Sequence, residues 1–80
     1  MALRLVFMGR LETVAGSGER DVPVAATLAG VLAALEPELA EALAAESIKL
    51  AVNGALVSDR AALALNDGDE LAFLPPVSGG

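Results

Sequence analysis

Strand-like segments at the two ends of the chain enclose a middle with helical periodicity, and this arrangement constrains the fold more than any other feature of the sequence. Over residues 2–8, Leu3, Leu5 and Phe7 alternate with Arg4, Val6 and Met8, the two-residue period of a strand with one buried face. Near the other end Leu71-Ala72-Phe73-Leu74 forms a second such segment, stopped sharply by Pro75-Pro76. Between them Leu28, Val31, Leu32 and Leu35 recur at helical spacing behind Thr27, a good N-cap. Pro37 opens another helical piece, with Leu39 and Leu43 inward and Glu38 and Glu41 outward. Gly16-Ser17-Gly18 predicts a turn into a strand over Arg20-Asp21-Val22-Pro23-Val24, so the chain begins as a hairpin, and Pro23 suits an edge strand. Ile48, Leu50 and Val52 alternate with Lys49 and Ala51 up to Asn53-Gly54, a hairpin turn because both positions tolerate positive φ; Leu56-Val57 returns from it. Asp59 and Arg60 lead to a further turn at Asn66-Asp67-Gly68-Asp69 before the last strand. The expected order is β-β-α-β-β-β, an α+β domain whose terminal strands pair centrally under a helix.

A chain of 80 residues has room for one domain, because at this size only roughly 60% of the unfolded surface is buried. Residues 1–74 are expected to form the folded body and residues 75–80 a flexible tail. The interior must be built from aliphatic residues, since Phe7 and Phe73 are the only aromatic ones. Cys, His, Trp and Tyr are absent. This removes the ordinary near-neutral acid/base, the thiolate nucleophile, the disulfide and the structural zinc site, so an enzyme with a self-contained active site is not expected. The formal net charge of −6 repels a phosphate backbone; nucleic acid is an unsuitable partner, and basic protein surfaces are suitable ones. No apolar run approaches the ~20 residues of a membrane span, and the opening residues read as a strand rather than a secretory signal. The expectation is a cytoplasmic protein with no membrane partner.

The remaining chemistry concentrates at the end of the sequence, in Phe73-Leu74-Pro75-Pro76-Val77-Ser78-Gly79-Gly80. Two prolines have fixed φ and no amide proton, so they end strand pairing and project the last four residues away from the sheet. Gly79 and Gly80 carry no Cβ, and so narrow a tip can enter a tight channel on a partner. The carboxylate of Gly80, with a reference pKa of roughly 3.3–3.7, is ionised and inert until something activates it. Strand alternation buries only one of Phe73 and Leu74, which leaves the other, with Val77, as a candidate partner anchor. Other candidates are weaker. Gly16-Ser17-Gly18 lacks the Gly-Lys-Ser/Thr of a phosphate loop. Asp67, Asp69 and Glu70 lack calcium-loop spacing and read as a turn. Lys49, the only lysine, reads as an outward, solvated charge.

The layout is that of the β-grasp, or ubiquitin-like, fold. The ending Phe73-Leu74-Pro75-Pro76-Val77-Ser78-Gly79-Gly80, together with Ala51-Val52-Asn53-Gly54 and Asp67-Gly68-Asp69-Glu70-Leu71-Ala72-Phe73, resembles the MoaD/ThiS-like sulfur carrier family, whose molybdopterin-synthase branch ends Phe-x-Pro-Pro-Val-x-Gly-Gly. The departure is Phe7-Met8-Gly9-Arg10-Leu11-Glu12, where the arginine stands one position away from the family's usual place. The resemblance implies that an ATP-dependent adenylyltransferase/sulfurtransferase adenylates Gly80 and converts it to a thiocarboxylate. The tail from Phe73 to Gly79 then enters the large subunit of molybdopterin synthase, which holds the catalytic residues. Sulfur passes there to a cyclic pyranopterin monophosphate, forming the dithiolene of molybdopterin for molybdenum cofactor biosynthesis. It further implies no cofactor bound by this chain, nucleotide chemistry only through the activating enzyme's ATP, and a heterotetramer of two small and two large subunits. Sulfur delivery to thiazole, cysteine or tRNA thiolation, or conjugation to target lysines as a ubiquitin-like modifier, remain open alternatives.

Overall fold

A computed structural model describes residues 2–76. Among these residues, β1 (Ala2–Phe7), β2 (Glu19–Pro23), β3 (Lys49–Val52), β4 (Ala55–Leu56) and β5 (Glu70–Leu74) form one sheet in the order β2-β1-β5-β3-β4. The strands from opposite ends of the sequence, β1 and β5, lie side by side and parallel, with Leu5 opposite Leu71 and Phe7 opposite Phe73. The other pairings are antiparallel. This is the mixed β-grasp sheet that the alternation at both ends requires, and Pro23 does fall on an edge strand.

Three helices are described: α1 (Arg10–Ala15), α2 (Leu28–Ala33) and α3 (Pro37–Ala44). Thr27 caps α2, its hydroxyl oxygen accepting from the Gly30 amide at 3.1 Å, and Pro37 occupies the first turn of α3, where a missing N–H costs nothing. Leu3, Leu5 and Phe7 of β1, Leu50 of β3, and Leu71 and Phe73 of β5 share one core with Val31, Leu35, Leu39 and Leu43 from the helical middle. The helices therefore cover a single face of the sheet. Arg60, in a short 3-10 turn (Arg60–Ala62), closes the far end of α3 by donating to the carbonyls of Leu43 at 3.1 Å and Ala45 at 3.0 Å. A guanidinium there satisfies the Leu43 carbonyl at the helix end and shares the Ala45 carbonyl with the Ile48 amide, which donates to it at 3.0 Å.

The stretch after β1 corrects one expectation. It is not a plain hairpin connection: α1 occupies Arg10–Ala15, and Leu11 and Ala15, four residues apart, both enter the core. Gly16 ends the helix with φ 85°, its amide donating to the Glu12 carbonyl at 2.9 Å, a left-handed cap that glycine adopts at least cost. Gly16-Ser17-Gly18 is thus a helix exit before it is a turn into β2. Among the described residues no polar or charged side chain is buried. The interior supplies packing and no chemistry.

Candidate functional site

The residues that root the tail sit at the end of β5, held on both sides by neighbouring strands. Phe73 is fully buried, and its ring stacks on that of Phe7 from β1 with centroids 5.7 Å apart and planes 9° from parallel. The Phe73 carbonyl accepts from the Met8 amide at 3.1 Å, and Leu74 pairs with Lys49 of β3. The tail thus leaves from the middle of the sheet, anchored on the core side by an aromatic pair. Phe73 was a candidate for contact with a partner; its complete burial against Phe7 places it in the core, at the root of the tail. Leu74, on the opposite face, is half-buried. Pro75 is half-buried and Pro76 exposed. Val77, Ser78, Gly79 and Gly80 lie outside the described residues.

The open face beside this root is largely apolar. Val6, Ala72, Ala51 and Leu56 succeed one another across β1, β5, β3 and β4 by direct pairing. Leu56 is 75% exposed and Met8, next to the tail root, 45%. Charges mark the rim: Lys49 is exposed beside Leu74 and makes no ion pair among the described residues, while Arg4 pairs with Glu19 at 3.8 Å and Asp21 at 3.6 Å. A shallow depression lined by Ala2, Arg4, Asp21 and Glu70 lies at the opposite end of β1 and β5 from the tail.

The turn motifs that carried the resemblance are joined to each other. Asn53, in the hairpin turn with φ 50°, donates from its side-chain amide to Asp69 Oδ1 at 3.0 Å, and its Oδ1 accepts from the Glu70 amide at 3.0 Å. Asp69 Oδ2 accepts from the Asn66 amide at 2.9 Å, and Asp67 Oδ1 from the Ala2 amide at 2.8 Å. The Asn66 amide first, and the Asn53 side chain second, hold the Asp69 carboxyl below the usual carboxylate range. These acids clip turns together at the start of β5. Among the described residues no group of three or more acids is placed to hold a metal ion.

One residue of the site carried no signal in the sequence. Gly9, two residues past the end of β1, has φ 55° and lies against Pro75: a Cβ at this position would stand 3.0 Å from Pro75 Cγ. The displaced arginine is its neighbour in sequence, but the contact depends on β1 and β5 ending side by side.

The ThiS family model matches residues 5–80, nearly the whole sequence. The chain belongs to the ThiS family. Solved structures place this ThiS-family chain among small ubiquitin-like sulfur carriers and modifiers. SAMP1 from Haloferax volcanii, a small archaeal modifier protein, is 32% identical with a TM-score of 0.80, each chain covering 100% of the other. A chain in the complex of subunits 1 and 2 of molybdopterin-converting factor from Helicobacter pylori is 26% identical with a TM-score of 0.69, again with 100% of both chains covered. CysO of Mycobacterium tuberculosis is 26% identical, TM-score 0.70, over 94% of this chain and 99% of that one. A search of curated proteins by sequence gave no match.

Proposed function

We propose that this ThiS-family chain is the sulfur-donating small subunit of a molybdopterin synthase, carrying sulfur as a thiocarboxylate on Gly80. The observation that carries the proposal is the family match, which runs through the Pro-Pro-Val-Ser-Gly-Gly ending to residue 80, on a body whose described residues bury no polar side chain. A body of this kind positions a carboxylate and leaves the chemistry to its partners.

In the proposed cycle the Gly80 carboxylate attacks ATP bound by an adenylyltransferase and pyrophosphate leaves; the terminal sulfur of a donor persulfide then displaces AMP to give an acyl disulfide, and a second thiol cleaves its S–S bond, releasing the thiocarboxylate and leaving a disulfide on the donor. The chain binds no cofactor of its own. The thiocarboxylate enters a large subunit, whose cationic residues receive a cyclic pyranopterin monophosphate and direct sulfur to it. The apolar row Val6, Ala72, Ala51 and Leu56, with Met8 and Leu74 near the tail, offers both partners a surface to rest on while the tip is inside them. The similarity to a chain in the two-subunit converting-factor complex supports the pairing with a large subunit, and an assembly of two copies of each is in keeping with the family resemblance. Deletion of Gly80 tests the proposal: molybdoenzyme activity in the host disappears while the circular dichroism of the domain is unchanged. Undiminished molybdoenzyme activity refutes it.

A second reading has a specific observation behind it. The similarity to SAMP1 favours conjugation of Gly80 to target lysines after the same adenylation. The products differ: one oxygen exchanged for sulfur in a carrier, high-mass isopeptide conjugates in a modifier.

A further inference from the structure

The geometry points to Gly9 as a positioning residue for the tail, a role that rests on the proposed activation of Gly80 and adds to it the element that aims the carboxylate. β1 and β5 end side by side, tied by the Met8 amide donating to the Phe73 carbonyl at 3.1 Å, and beneath this tie the Phe7 and Phe73 rings stack. The next residue of each strand's continuation then meets the other. Gly9 turns out of β1 with φ 55° and ψ −135°, and Pro75 leaves β5 with its ring against the Gly9 Cα. An added Cβ would stand 3.0 Å from Pro75 Cγ and 3.7 Å from Pro75 Cδ.

Two constraints therefore fall on one position. The backbone conformation is one that L-residues with a Cβ avoid, and the space a Cβ would take belongs to the first residue of the tail. Relieving either constraint moves the surface on which Pro75 rests. A rotation of Gly9 toward negative φ changes the turn into α1, and retention of the turn pushes the proline ring. Because the proline φ is fixed, a tilt of its ring is passed on to the direction of the chain beyond it. Gly9 acts through Pro75 and touches no reacting atom.

Gly16 provides a control for substitution of a positive-φ glycine away from the tail. Its φ of 85° and ψ of −2° lie in the left-handed helical region, where a substituted side chain pays a smaller backbone penalty than at Gly9, and no heavy atom lies within 4 Å of a Cβ built there. Gly9→Ala and Gly16→Ala are made in the full chain and expressed in the native host. The thiocarboxylated fraction is read by intact mass, and the unfolding midpoint of each purified protein by circular dichroism. The expected result is a loss of midpoint in both variants, larger in Gly9→Ala, with both proteins still folded at the growth temperature and the thiocarboxylated fraction falling about tenfold or more in Gly9→Ala while staying at the wild-type level in Gly16→Ala, as one misaimed ångström near a reacting group costs on the order of 100-fold. A nuclear Overhauser effect between the Gly9 α-protons and the Pro75 ring protons is expected in the wild-type protein. Equal thiocarboxylation of the two variants, or a missing Gly9–Pro75 effect, overturns the assignment and leaves the carrier reading standing. Absence of thiocarboxylate from the wild-type protein overturns both.

Discussion

Truncation of Phe73 to alanine distinguishes core from surface at the root of the tail. The ring is fully buried and stacked on Phe7. Its loss removes the transfer free energy of an aromatic side chain and leaves a cavity, a cost of about 3–5 kcal/mol, of which the stacking geometry supplies about 0.5–1.5 kcal/mol. A domain of this length has a total stability of about 4–12 kcal/mol, so the substitution removes a large share of it. Leu74 is half-buried on the other face, and Leu74→Ala costs about 1 kcal/mol. The chain has no Trp or Tyr, so the assay is urea unfolding followed by far-ultraviolet circular dichroism. With a slope of about 1 kcal/mol per molar urea, Phe73→Ala lowers the midpoint by about 3–5 M, or abolishes the folded baseline, and Leu74→Ala lowers it by about 1 M. Equal shifts for the two variants, or a shift below about 1 M for Phe73→Ala, would refute the burial argument and return Phe73 to the partner-facing surface.

Arg60→Ala leaves the carbonyls of Leu43 and Ala45 without their guanidinium partner and lowers stability by about 1–2 kcal/mol, seen as a fall of about 5–15 °C in the thermal midpoint; an unchanged midpoint contradicts the capping role. Thr27→Ala removes the α2 cap and costs about 1 kcal/mol by the same measurement, while Thr27→Ser retains most of the stability. Asp69 titrates below its ordinary range when folded, so its contribution to stability is present above the unfolded-state value, roughly 3.9, and is lost as pH falls from there through the folded value. Asp69→Asn is therefore expected to flatten the acid limb of stability against pH, and an identical limb in the variant contradicts the clip between the two turns.

The strands, helices α2 and α3 and the central pairing of the chain ends were legible because each arises from a period or a stop signal that the residues display locally. Thr27 and Pro37 mark helix starts, Asn53-Gly54 and Pro75-Pro76 mark strand ends, and the structure places these features at those boundaries. Helix α1 was not legible as such. It has no capping side chain such as Thr27 supplies to the equally short α2, Thr13 and Val14 favour a strand, and the turn residues Gly16-Ser17-Gly18 suit either reading. Leu11 and Ala15, four apart before a glycine, were the available sign. The division between Phe73 and Leu74 was posed correctly by alternation, but which of them faces the helices depends on tertiary pairing with β1 and β3. The Asn53–Asp69 and Gly9–Pro75 contacts join residues far apart in sequence, so the motifs could be recognised without showing that they touch.

Whether Gly80 carries sulfur is read by intact mass spectrometry of the protein from its native host. The expected species is heavier than the unmodified chain by the exchange of one oxygen for sulfur and is absent when Gly80 is deleted, with no high-mass conjugates. A host with active molybdoenzymes whose carrier pool shows only the free carboxylate, or only isopeptide conjugates, would contradict sulfur carriage by Gly80.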